Sequence, residues 1–368
     1  MKYLNKGEII VVAFFCSTPY QILVAINIKL TQYEDEEADI YILNHFDNAK
    51  KIVENLEDKS IFSSVNYTDC INFTKSFSSN KLIRFYEKAN VYLNYRSITE
   101  KYFDFKNKFY DEVYLTYPDV IIQLAIKTLS QQNNKLKINL YEDGTGGYTS
   151  FNPSFFKKLF NLVFGFDEVV DKYHSINIFQ PELYSGSTQN NNIIVNKIPK
   201  INTKSKKLKY LINDIFSYKD NYDINEKIIF LEQPLHFVEG LNSDIKNIAD
   251  EVLSKEYIIK LHPRTNENNY DNFNIYKNNS IPWEVINLNS DLEDKVLVSY
   301  YSTACVSPKI IFDQEPIIIF LYNIQGLKDI LTDETKKFIE KFQDLYEDQS
   351  KIFIPETIKE LKGIMSKI

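Results

Sequence analysis

A chain of 368 residues exceeds a typical single domain, and 44% apolar with 25% charged residues is the balance of a globular protein. A formal net charge of −7 argues against a nucleic-acid-binding protein, whose domains are strongly basic as a rule. Three widely spaced cysteines (Cys16, Cys70, Cys305), with no Cys-x-x-Cys pair, argue against a disulfide framework or a cysteine zinc site and fit a reducing cytoplasm.

Residues 9–15 are apolar but far short of the about 20 residues a membrane-spanning helix needs, so they are expected as a buried first strand. Thr18 as N-cap with Pro19 at the first helical position then opens a helix over Ile22–Leu30. Strand Asp39–Leu43, helix Asn48–Leu56, helix Leu82–Leu93, strand Glu112–Thr116 and helix Asp119–Leu129 follow. The alternating run Leu136–Leu140 is a further strand, ending at Tyr141-Glu142-Asp143-Gly144-Thr145-Gly146-Gly147. Phe155–Phe166 reads as a helix with Lys157 and Lys158 among Phe and Leu, either core-facing or lying on a membrane surface.

From about Tyr184 to Asn225 the chain turns polar and lysine-rich, as an inter-domain connection with a solvated basic face would. A second alternating set begins with strand Lys227–Leu231, helix Asn242–Leu253 and strand Tyr257–Leu261. Strands Lys295–Ser299 and Ile317–Leu321 and helices Asp333–Leu345 and Glu356–Ile368 complete it. Strands alternating with helices in both halves predict α/β architecture with parallel sheets.

In such sheets ligands bind outside the carboxyl ends of the strands. Glu142 and Asp143 stand at one such end on a glycine-rich loop, placed to take a proton from a substrate hydroxyl, although Asp-Gly is also ordinary turn chemistry. His262 follows another strand, is restricted by Pro263 and is flanked by Lys260 and Arg264, a setting suited to phosphate. Ser302 and Thr303 open a helix after a third strand, where hydroxyls and free N–H groups serve as a cap, a phosphate site, or both. His45, His174 and His236 lack metal-ligand spacing, and no Walker loop, Gly-x-Gly-x-x-Gly or clear Asp-x-Asp occurs, so no metal is implied.

The ordered set Cys16-Ser17-Thr18-Pro19-Tyr20-Gln21, Tyr141–Gly146, Lys260-Leu261-His262-Pro263-Arg264 and Ser302-Thr303 resembles the bacterial sialyltransferases. It resembles in particular glycosyltransferase family 52, the lipooligosaccharide sialyltransferases, with motifs shared by the bacterial polysialyltransferases. The resemblance implies a GT-B fold of two Rossmann-like domains facing across a cleft. It implies metal-independent, inverting transfer with CMP-sialic acid as donor and no resident cofactor. On its terms residues 1–195 are the acceptor-side domain, 196–225 the connection, 226–345 the CMP-binding domain and 346–368 a C-terminal helix. Glu142 would be the general base and Asp143 its supporting acid; His262 would be the phosphate ligand and general acid toward departing CMP. Lys260, Pro263, Arg264, Ser302 and Thr303 would bind the donor, and Thr18, Gln21, Gly144 and Thr145 would form the substrate loops. Because some members place the base after the first strand of the second domain, where Glu232 stands here, that role is open between Glu142 and Glu232.

The expected partners are a nucleotide-sugar donor and a bacterial surface glycan, lipooligosaccharide or capsule, ending in galactose or another sugar, and not nucleic acid. The expected location is cytoplasmic, with peripheral association at the inner membrane face and homodimer formation left open. The alternatives are a related hexosyltransferase using a UDP-sugar, a UDP-sugar 2-epimerase, and an inactive glycan-binding protein.

Overall fold

Strand β1 (Val11–Cys16) carries adjacent phenylalanines to opposite faces of a sheet, and both faces are covered. On one, the Phe15 ring stacks on Tyr41 at 5.0 Å and meets the edges of Phe103 and Phe105. On the other, Phe14 stacks on Tyr114 at 5.1 Å and meets Phe62 edge-on. Much of the aromatic content of the first half is therefore core, packed in the edge-on and stacked geometries aromatic rings prefer.

The computed structural model describes residues 10–75, 77–116, 119–148, 162–164, 166, 172–186, 193–219, 222–233, 235, 240–252, 257–262, 265, 274–278, 280–327 and 329–368. The chain divides into two units, Met1–Pro199 and Lys200–Ile368. In the first, β1 is joined by β2 (Glu37–Leu43), β3 (Ser64–Thr68), β4 (Glu112–Leu115), β5 (Lys137–Tyr141), β6 (Tyr173–Ile178) and β7 (Ile194–Lys197). All pair in parallel, in the order β3-β2-β1-β4-β5-β6-β7, so the strand order reverses between β1 and β4. Among the described residues the helices of this unit include α1 (Pro19–Gln32), α2 (Ala49–Glu57), α3 (Ile71–Lys75), α4 (Lys81–Leu93), α5 (Tyr95–Tyr102) and α6 (Val120–Gln132).

In the second unit β8 (Ile228–Leu231), β9 (Tyr257–Lys260), β10 (Val296–Ser299), β11 (Ile317–Phe320) and β12 (Ile352–Phe353) form a parallel sheet in the order β12-β11-β10-β8-β9. The reversal here lies between β8 and β10. Helices α7 (Lys206–Ile215), α8 (Leu241–Val252), α9 (Trp283–Asn289), α10 (Thr303–Ser307), α11 (Asp333–Gln343) and α12 (Ile358–Met365) accompany it. Ile228, Phe230, Val296, Val298 and Ile319 of the strands pack with Ile245, Ile248 and Leu361 of the helices. Among the described residues no helix is long and apolar enough to cross a membrane.

The expected strands and helices are found within a few residues of their predicted bounds, with differences in the expected connection and in the C-terminal segment. Within β5, Asn139 is buried. Its side chain donates to Glu112 Oε2 (2.8 Å) and accepts from Ser175 Oγ (2.7 Å), and Asn177 extends the chain to Ser175 Oγ and Asn196. A polar ladder thus crosses β4 to β7 inside the unit, each buried group finding its partner on the next strand. The stretch expected as a connection contains β7, which closes the first sheet, and α7, whose lysines occupy the outside of a helix with Ile212 and Ile215 buried. The C-terminal segment adds β12 to the second sheet before α12. The expected helix Phe155–Phe166 falls outside the described residues except at 162–164 and 166.

Candidate active site

Glu142 leaves the end of β5 with its N–H bonded to the Asn177 carbonyl oxygen (3.0 Å), and only 2% of the residue is exposed. The glycine-rich loop then folds back over it. Gly144 takes φ +70°, a conformation that costs any side-chain-bearing residue, and Gly147 passes so close that a Cβ there would stand 3.4 Å from the Glu142 Cα. The turn Gly146–Tyr148 brings the Tyr148 hydroxyl onto Glu142 Oε2, which also accepts from the Phe179 N–H (2.9 Å). From α1, the Tyr20 hydroxyl donates to Oε1 at 2.8 Å. Burial pushes the Glu142 carboxyl up to about 7; the three donors hold it back and the neighbouring Asp143 charge adds to the rise. A carboxyl poised near neutrality in a site of hydroxyls is suited to general base work. Asp143 itself is exposed, Gly144 buried and Thr145 half-buried.

The Thr-Pro-Tyr-Gln element is what carries Tyr20 there. Thr18 caps α1, accepting from the Gln21 N–H (3.2 Å), and Pro19 stands in its first turn. Gln21 is 3% exposed; its Oε1 accepts from the Ser17 N–H (2.6 Å) and its Nε2 donates to Thr116 Oγ1 (2.9 Å). It therefore ties the loops leaving β1 and β4, at the point where the strand order reverses. Beneath them the Cys16 thiol and the Tyr141 hydroxyl lie 3.3 Å apart, and burial pushes the thiol up to about 12. Tyr20 stands within the Thr-Pro-Tyr-Gln element without a role of its own in the sequence reading, and the signal for Tyr148 is nearness to the glycine loop.

In the second unit, Glu232, His262 and Ser302 follow the adjacent strands β8, β9 and β10. The His262 N–H donates to Glu232 Oε2 (3.0 Å), which also accepts from Thr265 Oγ1 (2.7 Å), while the Glu232 N–H bonds the Lys260 carbonyl oxygen (3.0 Å). Glu232 is buried, and its Oε1 has no hydrogen-bond partner. Lys260 is buried too, its Nζ 5.6 Å from the centre of the Tyr276 ring, and burial lowers it to about 8 against the opposing pull of Glu284. Ser302 caps α10, accepting from the Ala304 N–H (3.2 Å), and Thr303 begins the helix; both are half-buried. Gln233 Oε1 accepts from the Tyr301 N–H (2.6 Å) and Ser299 Oγ (3.3 Å), tying the ends of β8 and β10 as Gln21 does in the first unit. Pro263, Arg264 and His236 lie outside the described residues.

His45 belongs to a separate cluster, with Nδ1 3.5 Å from Asp119 Oδ2 and Nε2 3.3 Å from Cys70 Sγ. Burial pushes that thiol up to about 12, which leaves it protonated and a poor nucleophile.

The family described as alpha-2,8-polysialyltransferase (POLYST) matches residues 13–320. No curated protein matches the chain. Among solved structures it is similar to the glycosyltransferase of kitacinnamycin, at TM-score 0.52 and 9% identity, over 98% of this chain and 91% of that one. It is similar also to LpCGTa in complex with UDP, at TM-score 0.50 and 8% identity, over 98% and 90%. At these identities the likeness is one of fold, and with the two parallel-sheet units it places the chain in the GT-B class.

Proposed function

The chain belongs to the alpha-2,8-polysialyltransferase family, and from that premise we propose that this glycosyltransferase moves sialic acid from CMP-sialic acid to the terminal sugar of a bacterial surface glycan. What supports the reading is the placement of the motifs: the acid pair after β5, His262 after β9 and the hydroxyl pair after β10 each occupy the carboxyl end of a parallel strand.

The proposed reaction is a single inverting displacement. The acceptor oxygen bonds to the anomeric carbon of sialic acid as the bond from that carbon to the CMP phosphate oxygen breaks, and the electron pair leaves with the phosphate. His262 donates a proton to that departing oxygen, with the Ser302 and Thr303 hydroxyls holding the phosphate. The acceptor proton goes to Glu142. Both Glu142 oxygens already accept hydrogen bonds, and Tyr20 is its half-buried neighbour. We therefore route the proton through Tyr20, which takes the acceptor's proton as it passes its own to Glu142 Oε1. Asp143, exposed beside them, is assigned to acceptor contact. Donor contacts are likewise assigned to Lys260, Pro263 and Arg264, and no step is routed through a metal.

The base role is given to Glu142, whose buried carboxyl is raised to about 7 and which Tyr20 joins to the site. Glu232 is assigned a holding role, its Oε2 accepting from the His262 N–H and from Thr265. The family description, an alpha-2,8 transfer, favours a sialic acid acceptor over galactose.

Calorimetric titration with CMP, and with UDP as the control, both in EDTA, tests the donor. Binding of CMP and not UDP is expected. A preference for UDP would overturn the sialic acid donor and favour a hexosyltransferase or an epimerase. Turnover with sialylated and galactose-terminated acceptors then separates the two acceptor readings.

A further inference from the structure

Helix α4 turns an apolar side outward. Leu82, Phe85, Tyr86, Ala89 and Leu93 recur at three- and four-residue spacing and share one side of the helix. Leu82 is 74% exposed, Tyr86 72% and Leu93 71%, and Ile83 and Phe85 are exposed beside them. Tyr92 is the buried residue of this helix, and its ring meets Phe164 and Phe166, which brings the exposed Leu162 and Val163 to the same end. Single exposed apolar residues need no explanation, but a contiguous stripe of this kind marks a contact surface.

The charges on α4 narrow what it contacts. Lys81, Arg84 and Lys88 stand against one acid, Glu87, on a chain whose net charge is −7. Arg84 Nε donates to the Ser78 carbonyl oxygen (2.8 Å), Lys88 Nζ lies 6.0 Å from the centre of the Phe77 ring, and Glu87 Oε2 accepts from the Ser78 N–H (2.7 Å). A two-fold contact between copies through the stripe would set the same three cations against each other. An anionic surface takes the apolar side into its acyl boundary and the cations among its headgroups.

We propose that α4 seats the first unit on an anionic lipid bilayer. The seating does not depend on the identity of the donor, and its test uses no turnover. Extruded vesicles of phosphatidylglycerol and phosphatidylethanolamine, and separately of phosphatidylcholine, are incubated with the full chain and sedimented. The protein is expected to pellet with the anionic vesicles at least about tenfold more strongly than with the zwitterionic ones, and less as salt rises. The triple variant Leu82→Glu, Tyr86→Glu, Leu93→Glu should lose binding, and Lys81→Glu, Arg84→Glu, Lys88→Glu should weaken it at least about tenfold. Tyr210→Glu, at an exposed aromatic of α7, should bind as the parent does. Circular dichroism melts confirm that each variant is folded. The proposal is overturned by absence of pelleting with anionic vesicles, or by undiminished pelleting of the apolar triple variant. A dimer in sedimentation velocity that this variant abolishes would overturn it too, by giving the stripe to a second copy.

Discussion

Ionising Glu142 puts a negative charge where 98% of the residue is out of water, with three neutral donors and, among the described residues, no cation hydrogen-bonded to it. Its carboxyl rises from 4.5 to about 7, so between those values the folded protein holds a proton that the unfolded chain has released. The stability this confers is present in full below pH 4.5 and lost as pH rises through about 7, to an extent of roughly 2–4 kcal/mol at 1.4 kcal/mol per pKa unit. Glu142→Gln should therefore melt no lower than the parent at pH 8 and show a flatter melting temperature between pH 5 and 7, while the proposed transfer falls by at least about a hundredfold. A melt well below the parent at pH 8 would contradict this. Tyr20→Phe removes a donor that holds the carboxyl down, so the rise of kcat with pH should move to higher pH and kcat itself should fall about a hundredfold. An unmoved profile with normal kcat would remove Tyr20 from the proton path. The acid pair was legible in the sequence because Asp143-Gly144 follows an apolar strand. The burial of one acid and exposure of the other was not, since it depends on a tyrosine 122 residues earlier and on the fold-back of the loop.

At the scale of the element, each sheet is held at its reversal point by a glutamine whose bonds reach strands distant in sequence. Gln21→Ala strips a partner from the Ser17 N–H and from Thr116 and should cost about 2–3 kcal/mol, read as a shifted denaturation midpoint with an unchanged slope. Thr18 and Pro19 announce the start of α1 in the sequence, since capping is a local matter, and the helix begins there. That Gln21 points inward was not legible, because nothing local distinguishes a buried glutamine from a solvated one. Glu232 holds the loop bearing His262 in a comparable way. Glu232→Ala should lower CMP affinity through that loop, and Glu232→Gln, which keeps an acceptor oxygen, should restore most of it in the same titration. Equal losses in the two variants would refute a holding role.

At the scale of the molecule, a nucleotide held by the second unit should protect backbone amides at the carboxyl ends of β8, β9 and β10 and leave those around Glu142 unchanged. Hydrogen exchange with and without CMP reads this directly, and protection around Glu142 alone would reverse the assignment of donor and acceptor units. The sequence by itself determined the alternation of strands and helices in both halves, the capped starts of α1 and α10 and the strand-end positions of the acid pair, His262 and the hydroxyl pair. These follow from periodicity, turn chemistry and capping, which act over a few residues. Only the tertiary structure decided the strand orders, the polar ladder from Glu112 through Asn139 and Ser175 to Asn177 and Asn196, and the enclosure of Glu142 by Tyr20, Tyr148 and Phe179. It decided also that α4 presents its apolar side outward, which the same periodicity would allow for a helix packed on the core. The physical reason is common to all of them: a parallel sheet pairs strands separated by whole crossover connections. Burial and hydrogen-bond partners are therefore set by neighbours that no local pattern contains.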